Sequence, residues 1–383
     1  MTKRKVINVL YVTHYNELYG ANLSLLQMIL ELREKGVQPT VLLPLGTKTK
    51  NNSIKSELKN HEIPYIESEI RIDKHQAWHK VLANYFLALL CRKKAFRIVS
   101  HFDFDLIHSN TSTTSIGSYI ARKLKKPHVW HLREYGYLDY GVRTPFGKWF
   151  QKYLYGGDNT FIAISNCIKQ HYKEFLGNQD IYLIYNGIKA TPQRKKTLNE
   201  QIEFCSIGLL QEGKGQLELL VGVNELVNCR NIRNFHVTIV GGGDNDYLHR
   251  LEKYIDDHTL SDYVTLAGRR NDVPEFLTHM DIGVVTSSCE AFGRVTVEYM
   301  MAGVAVIASD TGANTEIVED GISGLIYKKG NIKSLADRME IFIKNAGLRQ
   351  KLADTGQRVA GSNFTSEANS NAVYNLYKKI LNH

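Results

Sequence analysis

The sequence predicts an α/β protein made of two Rossmann-like domains that face each other across a cleft. Three observations predict it. The chain has 383 residues, more than one core of about 150 residues accommodates. Strand-like apolar runs alternate with amphipathic helical stretches, the pattern of a parallel sheet covered by helices. That alternation stops at a polar stretch and then begins again.

In the first half, the strand-like runs are Val6–Thr13, Thr40–Leu45, Leu106–His108, His128–His131, Thr160–Ser165 and Ile181–Tyr185. Between the first two lies Asn22–Lys35, with apolar Leu25, Leu26, Ile29 and Leu32 at helical spacing. Thr114–Lys125 has the same character. Asn186-Gly187 is a turn signal, and the polar run Lys189–Gln201 reads as a linker. Strands resume at Ile202–Ile207, His236–Val240, Tyr263–Ala267, Ile282–Thr286 and Val304–Ala308. The expected division is an N-terminal domain over 1–187, a second domain over 188–365, and a last helix over 366–383 that packs back on the first.

Composition is that of a globular protein, with 43% hydrophobic and 23% charged residues. The basic N-terminus leads into a short alternating run, read as a first strand and not as a signal peptide. No apolar run reaches about 18 residues, so no transmembrane helix is expected. Five scattered cysteines without a C-x-x-C suit a reducing cytoplasm and offer neither a zinc site nor a disulfide framework. Residues 1–187 hold 26 Lys and Arg against 15 Asp and Glu, whereas the remainder holds 22 against 24. A basic first half suits an anionic partner such as a membrane surface, a lipid phosphate or a nucleic acid; it also suits mere solubility. No nucleic-acid recognition module is visible.

The chemistry is expected at strand ends of the second half, where open α/β sheets bind ligands. The buried run Ile282–Thr286 is followed by Ser287, Ser288, Cys289 and Glu290, then Ala291-Phe292-Gly293, and a helix is predicted to start near Arg294 or Val295. The unpaired N–H groups of a helix start favour an anion, and a glycine permits close approach. Glu298 lies eight positions after Glu290, inside that helix. Three further strands end in loops compatible with phosphate: Thr311-Gly312-Ala313-Asn314-Thr315-Glu316, the Gly208 to Gly215 segment with Lys214, and Gly241-Gly242-Gly243. Lysine supplies a point cation for phosphate.

These motifs resemble glycosyltransferase family 4, the retaining enzymes of GT-B fold with an E-x7-E motif, of the kind found in bacterial cell-surface polysaccharide assembly. Glu290 and Glu298 match the motif, and Gly312 to Glu316 matches the family's Gly-Gly-x-x-Glu with Ala313 at the second glycine. In the first half, Tyr19-Gly20-Ala21-Asn22, Trp130-His131-Leu132-Arg133-Glu134, Ala163-Ile164-Ser165 and Tyr185-Asn186-Gly187-Ile188 are similar to family segments. The resemblance implies transfer of a sugar from a nucleotide-diphosphate sugar, UDP-linked by the family's habit, to a hydroxyl of a lipid-linked or polysaccharide intermediate. It implies that Glu290 contacts donor-sugar hydroxyls and Glu298 the ribose. Backbone amides near Phe292 and Gly293, Lys214 and Gly20 would hold the diphosphate, and Gly268 to Val273, with Arg269, would frame the base. Gly312 and Glu316 would lie at the donor, and His131 near the sugar's reacting face. One departure stands out: Leu209 occupies the position of a usual arginine, and Arg294 or Arg269 is expected to compensate. No metal or other cofactor is implied, and Asp103-Phe104-Asp105 precedes its strand. No nucleophile is evident, so retention through an oxocarbenium-like ion pair is expected, with fixed dipoles and Lys214 stabilising the leaving diphosphate.

On the acceptor side, Ala77–Arg97 combines Trp78, Tyr85, Phe86, Leu87, Leu90 and Phe96 with Arg92, Lys93, Lys94 and Arg97. Tyr135–Tyr155 interleaves aromatics with Arg143, Lys148 and Lys152. Such segments either lie in a membrane interface or pack as core. The expected location is cytoplasmic, peripheral on the inner face of the membrane. Three rival readings remain: a non-hydrolysing nucleotide-sugar epimerase, against which the Glu290/Glu298 spacing counts; a dinucleotide oxidoreductase, for which no G-x-G-x-x-G follows the first strand; and a non-catalytic subunit that kept the fold.

Overall fold

A computed structural model describes residues 6–46, 53–72, 77–141, 143, 147–192 and 201–382. Most of the linker read at Lys189–Gln201 lies outside the described residues. The chain divides into two compact units, Met1–Gly187 with Ser366–His383, and Ile188–Thr365.

The first unit runs β1 (Ile7–Val12), α1 (Gly20–Arg33), β2 (Val37–Pro44), α2 (Ile54–Asn60), β3 (Tyr65–Ser68), α3 (Val81–Val99), β4 (Leu106–Ser109), α4 (Ile116–Leu124), β5 (His128–Leu132), α5 (Tyr137–Tyr140), α6 (Gly147–Tyr155), β6 (Asn159–Ala163), α7 (Asn166–Leu176) and β7 (Ile181–Leu183). Its seven strands form one sheet in the order β3-β2-β1-β4-β5-β6-β7, every pair parallel. Alternation along β1 sends Ile7, Val9 and Tyr11 into a core shared with α1 and α2. It sends Leu10 and Val12 to the opposite core, shared with α3 and α4. Ser165 ends β6 and starts α7, its hydroxyl accepting from the Ile168 N–H at 3.3 Å.

The second unit runs β8 (Ile202–Ile207), α8 (Gln216–Asn224), β9 (Phe235–Val240), α9 (Asn245–Asp257), β10 (Val264–Gly268), α10 (Val273–Leu277), β11 (Ile282–Val285), α11 (Arg294–Ala302), β12 (Ala305–Ser309), α12 (Asn314–Ile317), β13 (Leu325–Tyr327), α13 (Ile332–Lys344) and α14 (Ala346–Asn363). Its six parallel strands are ordered β10-β9-β8-β11-β12-β13. The order reverses between β8 and β11, the place where sheets of this kind open a crevice for ligands.

The last helix, α15 (Ser366–Ile380), belongs to the first unit. Val373, Leu376 and Tyr377 are buried in the core beside Leu25, Ile29 and Val9. The two edge strands β3 and β13 are absent from the sequence reading; at four and three residues they are too short for a period-2 signal. The strand expected over Thr40–Leu45 begins earlier, at Val37, because Val37 to Leu42 pair along β1. Asp105 accepts from the Asn8 N–H at 2.8 Å, and the exposed Asp103 pairs with Lys126 at 3.2 Å.

Candidate functional site

The loops that follow β8, β11 and β12 are joined backbone to backbone, and glycine is what allows it. Gly312 has φ +54, and a Cβ there would lie 2.2 Å from the Glu290 carbonyl oxygen. The Ala313 N–H donates to that same oxygen at 2.8 Å. Gly215, with φ +72, meets the Thr286 carbonyl as closely, its Cβ position lying 2.2 Å away. The Ser288 N–H donates to the Gly213 carbonyl at 2.9 Å. Ser309 Oγ and Thr311 Oγ1 both donate to the Ser287 carbonyl, at 2.8 and 2.7 Å.

This seam brings Lys214 and Glu290 together across the β8/β11 reversal point. Lys214 Nζ stands 2.6 Å from Glu290 Oε1, and Ser287 Oγ donates to the same oxygen at 2.7 Å. The Thr286 hydroxyl donates to the Lys214 carbonyl at 3.0 Å, fixing the lysine's backbone. Ser287 is a contributor that the sequence reading did not single out. Lys329 is another: its Nζ donates to the Thr286 carbonyl at 2.6 Å and pairs with Glu218.

Next to this pair, α11 begins at Arg294 with Gly293 as its cap, φ +80, a residue with no side chain of its own to cap the helix start. The N–H groups of a first helical turn have no partner within the helix. Phe292 is buried, edge-on to Phe364 at 5.9 Å. The helix is pinned by Tyr299, whose hydroxyl accepts from the Ile207 N–H at 2.8 Å. Gly283 leaves room for the Tyr299 ring, since a Cβ there would lie 2.2 Å from it. That register puts Arg294 and Glu298, one turn apart, into an ion pair with Nε 2.8 Å from Oε1. Burial pushes the Glu298 carboxyl above its usual range, and Arg294 opposes the shift. Arg294 is therefore engaged with Glu298, which bears directly on its expected role as a compensating phosphate cation.

The other expected residues fall as follows. Arg269 is exposed and its side chain lies over Gly242, where a Cβ would be 2.7 Å from its Nε. Glu316, half-buried, lies in the short α12 directly after Gly312. Gly241-Gly242-Gly243, expected to be compatible with phosphate, makes close backbone contacts of its own. Cβ positions on Gly241 and Gly243 would meet the Gly208 and Leu210 carbonyl oxygens at 1.8 and 2.2 Å, so these glycines serve packing against the chain after β8. Leu209 is exposed. In the first unit, Gly20 opens α1 with open space around its Cβ position.

His131 is fully buried in β5. Its Nδ1 lies 3.1 Å from His108 Nε2 and 3.3 Å from Arg133 Nη2. His108 Nδ1 in turn lies 2.6 Å from the Tyr377 hydroxyl. Arg133 donates to Asn110 Oδ1 at 2.6 Å and to Asn186 Oδ1. Burial, and then the Arg133 charge, push both histidines well below the usual imidazole range, so both are neutral.

The Arg294–Glu298 pair yields a stability prediction. Arg294→Ala strands a largely buried carboxylate and is expected to cost about 3 kcal/mol, with much of the loss recovered in Arg294→Ala/Glu298→Ala. Denaturant unfolding of the double-mutant cycle measures this. A coupling energy near zero would show that the pair contributes nothing to the fold.

Comparison with known proteins bears on the chain as a whole. A family model described as "Glycosyl transferases group 1" matches residues 188–359, and one described as "Glycosyltransferase Family 4" matches residues 19–191. An uncharacterised glycosyltransferase of Methanocaldococcus jannaschii is 28% identical over 289 residues, 74% of this chain and 78% of that protein. The capsular polysaccharide biosynthesis glycosyltransferase CapM of Staphylococcus aureus is 25% identical over 201 residues, half of each chain. The crystal structure of Anabaena Alr3699/HepE in complex with UDP and glucose has a TM-score of 0.80 at 21% identity, covering 97% of this chain and 99% of that one. With two Rossmann-like units of GT-B class and one of these models on each half, the chain belongs to the glycosyltransferases of group 1 and family 4.

Proposed function

We propose that this glycosyltransferase moves a sugar from a UDP-sugar to a hydroxyl of a lipid-linked or polysaccharide intermediate, with retention of anomeric configuration. The observation that carries the reading is the Lys214–Glu290 pair at the strand-order reversal, 2.6 Å across, beside the glycine-capped start of α11. A diphosphate arriving there meets the positive end of a helix and a lysine. Lys214 then exchanges one anion for another, and Glu290 becomes available to accept from sugar hydroxyls. Glu298, held by Arg294, would accept from the ribose, and Gly312 and Glu316 would lie beside the sugar, as the resemblance implies. As the glycosyl–phosphate bond breaks, charge grows on the diphosphate, where fixed N–H dipoles and a cation stabilise it most.

The choice of UDP draws support from the neighbour bound to UDP and glucose, and the acceptor class from CapM's role in capsular polysaccharide. Retention rests on the resemblance and on the lack of an evident nucleophile. Reaction without a resident metal or other cofactor is part of the same proposal. A nucleotide-sugar panel read by released diphosphate is expected to single out a UDP-sugar, with NMR showing the donor's anomeric configuration in the product. Lys214→Met is expected to lower kcat by about a hundredfold. Thermal stabilisation by NAD in place of UDP would favour an oxidoreductase, and stabilisation by no nucleotide a non-catalytic subunit.

The acceptor proposal includes peripheral binding to an anionic bilayer. Along α3, Leu82, Phe86, Leu87 and Leu90 are exposed, followed by exposed Lys93, Lys94 and Arg97. On α6, Trp149 and Tyr153 are exposed and stacked at 6.5 Å, with Lys152 exposed between them. The side chains of Trp78 and Lys148 lie outside those described. Among the described residues no helix is long and apolar enough to cross a membrane. An apolar-aromatic face with a cationic fringe suits the interfacial plane. Sedimentation with vesicles containing phosphatidylglycerol is expected to be salt-sensitive and to weaken in Phe86→Ser/Leu90→Ser; equal recovery with neutral vesicles would remove the idea.

A further inference from the structure

A lysine beyond the edge strand of the second unit reaches the seam beside Lys214. Lys329 follows β13 by two residues, and its Nζ donates at 2.6 Å to the carbonyl of Thr286, the residue after β11. β12 lies between those two strands. The loop after β12 takes part as well, since Asp310 Oδ1 accepts from the Lys329 N–H at 2.9 Å. A fourth segment supplies Glu218, in the first turn of α8. Its carboxylate pairs with Lys329 Nζ and accepts from the Gly330 N–H at 2.8 Å. The segments after β8, β11, β12 and β13 thus meet at one residue.

The carbonyl that Lys329 holds is the one that Gly215 packs against. A Cβ on Gly215 would lie 2.2 Å from the Thr286 oxygen and 2.8 Å from Lys329 Nζ. The Thr286 hydroxyl donates to the Lys214 carbonyl at 3.0 Å. Thr286 therefore touches both Lys214 and the glycine after it, and Lys329 fixes Thr286. The side chains of Lys329 and Glu218 are 23% and 12% exposed, too covered for the small contribution of a solvated surface pair. Packing alone would be met by an apolar side chain of similar volume. An ammonium adds directed bonds to a carbonyl and a carboxylate, and those bonds set positions.

We propose that Lys329 and Glu218 are positioning residues for Lys214: they pin the Thr286 backbone, and through it the loop that presents the Lys214 ammonium to a nucleotide diphosphate. The inference rests on the reading of Lys214 as the cation that receives that diphosphate. Lys329 is not a second phosphate cation in this arrangement, because its charge is met by Glu218 and its Nζ donates to the Thr286 carbonyl. Its effect reaches the nucleotide only through Lys214. That separates it from a residue that merely holds the domain together, which changes unfolding and leaves nucleotide affinity in the folded protein alone. The start of α8 favours a carboxylate, so Glu218 keeps support when Lys329 is replaced.

The test is a double-mutant cycle on the whole 383-residue chain, with UDP affinity measured by calorimetry and folding by thermal unfolding. Lys214→Met is expected to raise the Kd for UDP about tenfold, the worth of one charged hydrogen bond. Lys329→Met is expected to raise it about fivefold, as a displaced Lys214 loses part of that contact. In the Lys214→Met background, Lys329→Met is expected to change the Kd by less than about twofold, because the cation it positions is gone. Glu218→Gln keeps the shape and removes the charge; it is expected to raise the Kd about threefold, and it decides the matter where Lys329→Met does not fold. A wild-type UDP affinity in Lys214→Met, or no UDP binding by the wild-type protein, would overturn the reading of the site and the inference with it. The positioning role alone is overturned when Lys214→Met binds UDP weakly but every folded variant at 329 or 218 binds it as wild type does, or when the effects of Lys214→Met and Lys329→Met add in full.

Discussion

Everything proposed for the second unit depends on how closely the chain at Gly312 can approach Glu290. The two backbones touch where no side chain would fit, and the Ala313 N–H closes the contact on the Glu290 carbonyl. Gly215 makes the corresponding approach to Thr286. These contacts bind three strand-end loops into one surface. Loops are ordinarily the mobile parts of an α/β fold; here they are held by the sheet beneath and by one another. The acidic residue and the lysine thus acquire fixed positions from a frame, which is what placing a reacting bond requires.

Two cation–carboxylate pairs then define the electrostatics. Lys214–Glu290 spans loops 76 residues apart, and Arg294–Glu298 spans one turn of α11. Each pair keeps a carboxylate stable when no ligand is present, and each is adjacent to a helix start that favours an anion. In the proposed function a nucleotide diphosphate would compete for Lys214 and release Glu290 to accept from hydroxyls, while Arg294 keeps Glu298 in place. The first unit buries two neutral histidines and an arginine side by side, with His108 within hydrogen-bond distance of a tyrosine on the last helix.

The sequence made the strand ends legible because small and charged residues interrupt long apolar runs there. Lys214, Glu290, Gly312 and the start of α11 could all be found that way. Their pairing could not, because a contact between positions 214 and 290 leaves no periodic trace. Arg294 invited the role of a phosphate cation, and its register one turn before Glu298 also pairs its Nε with that carboxylate. The three glycines at 241–243 carry a phosphate-loop composition, and in the fold the missing side chains of Gly241 and Gly243 make room for Gly208 and Leu210, that of Gly242 for Arg269. His131 was found through its neighbours Trp130 and Glu134; its contact with His108, which in turn meets Tyr377, is a tertiary fact. The short edge strands β3 and β13 left no pattern to read.

The most direct measurement of the central claim is UDP-sugar turnover in Gly312→Ala, with thermal unfolding recorded on the same samples. A single methyl group there is forced against the Glu290 backbone and into a φ of +54. If the glycine seam positions the site, the variant still unfolds cooperatively while kcat falls about a hundredfold, as for a reacting group misplaced by about 1 Å. Turnover at the wild-type rate in a folded Gly312→Ala protein would contradict the account.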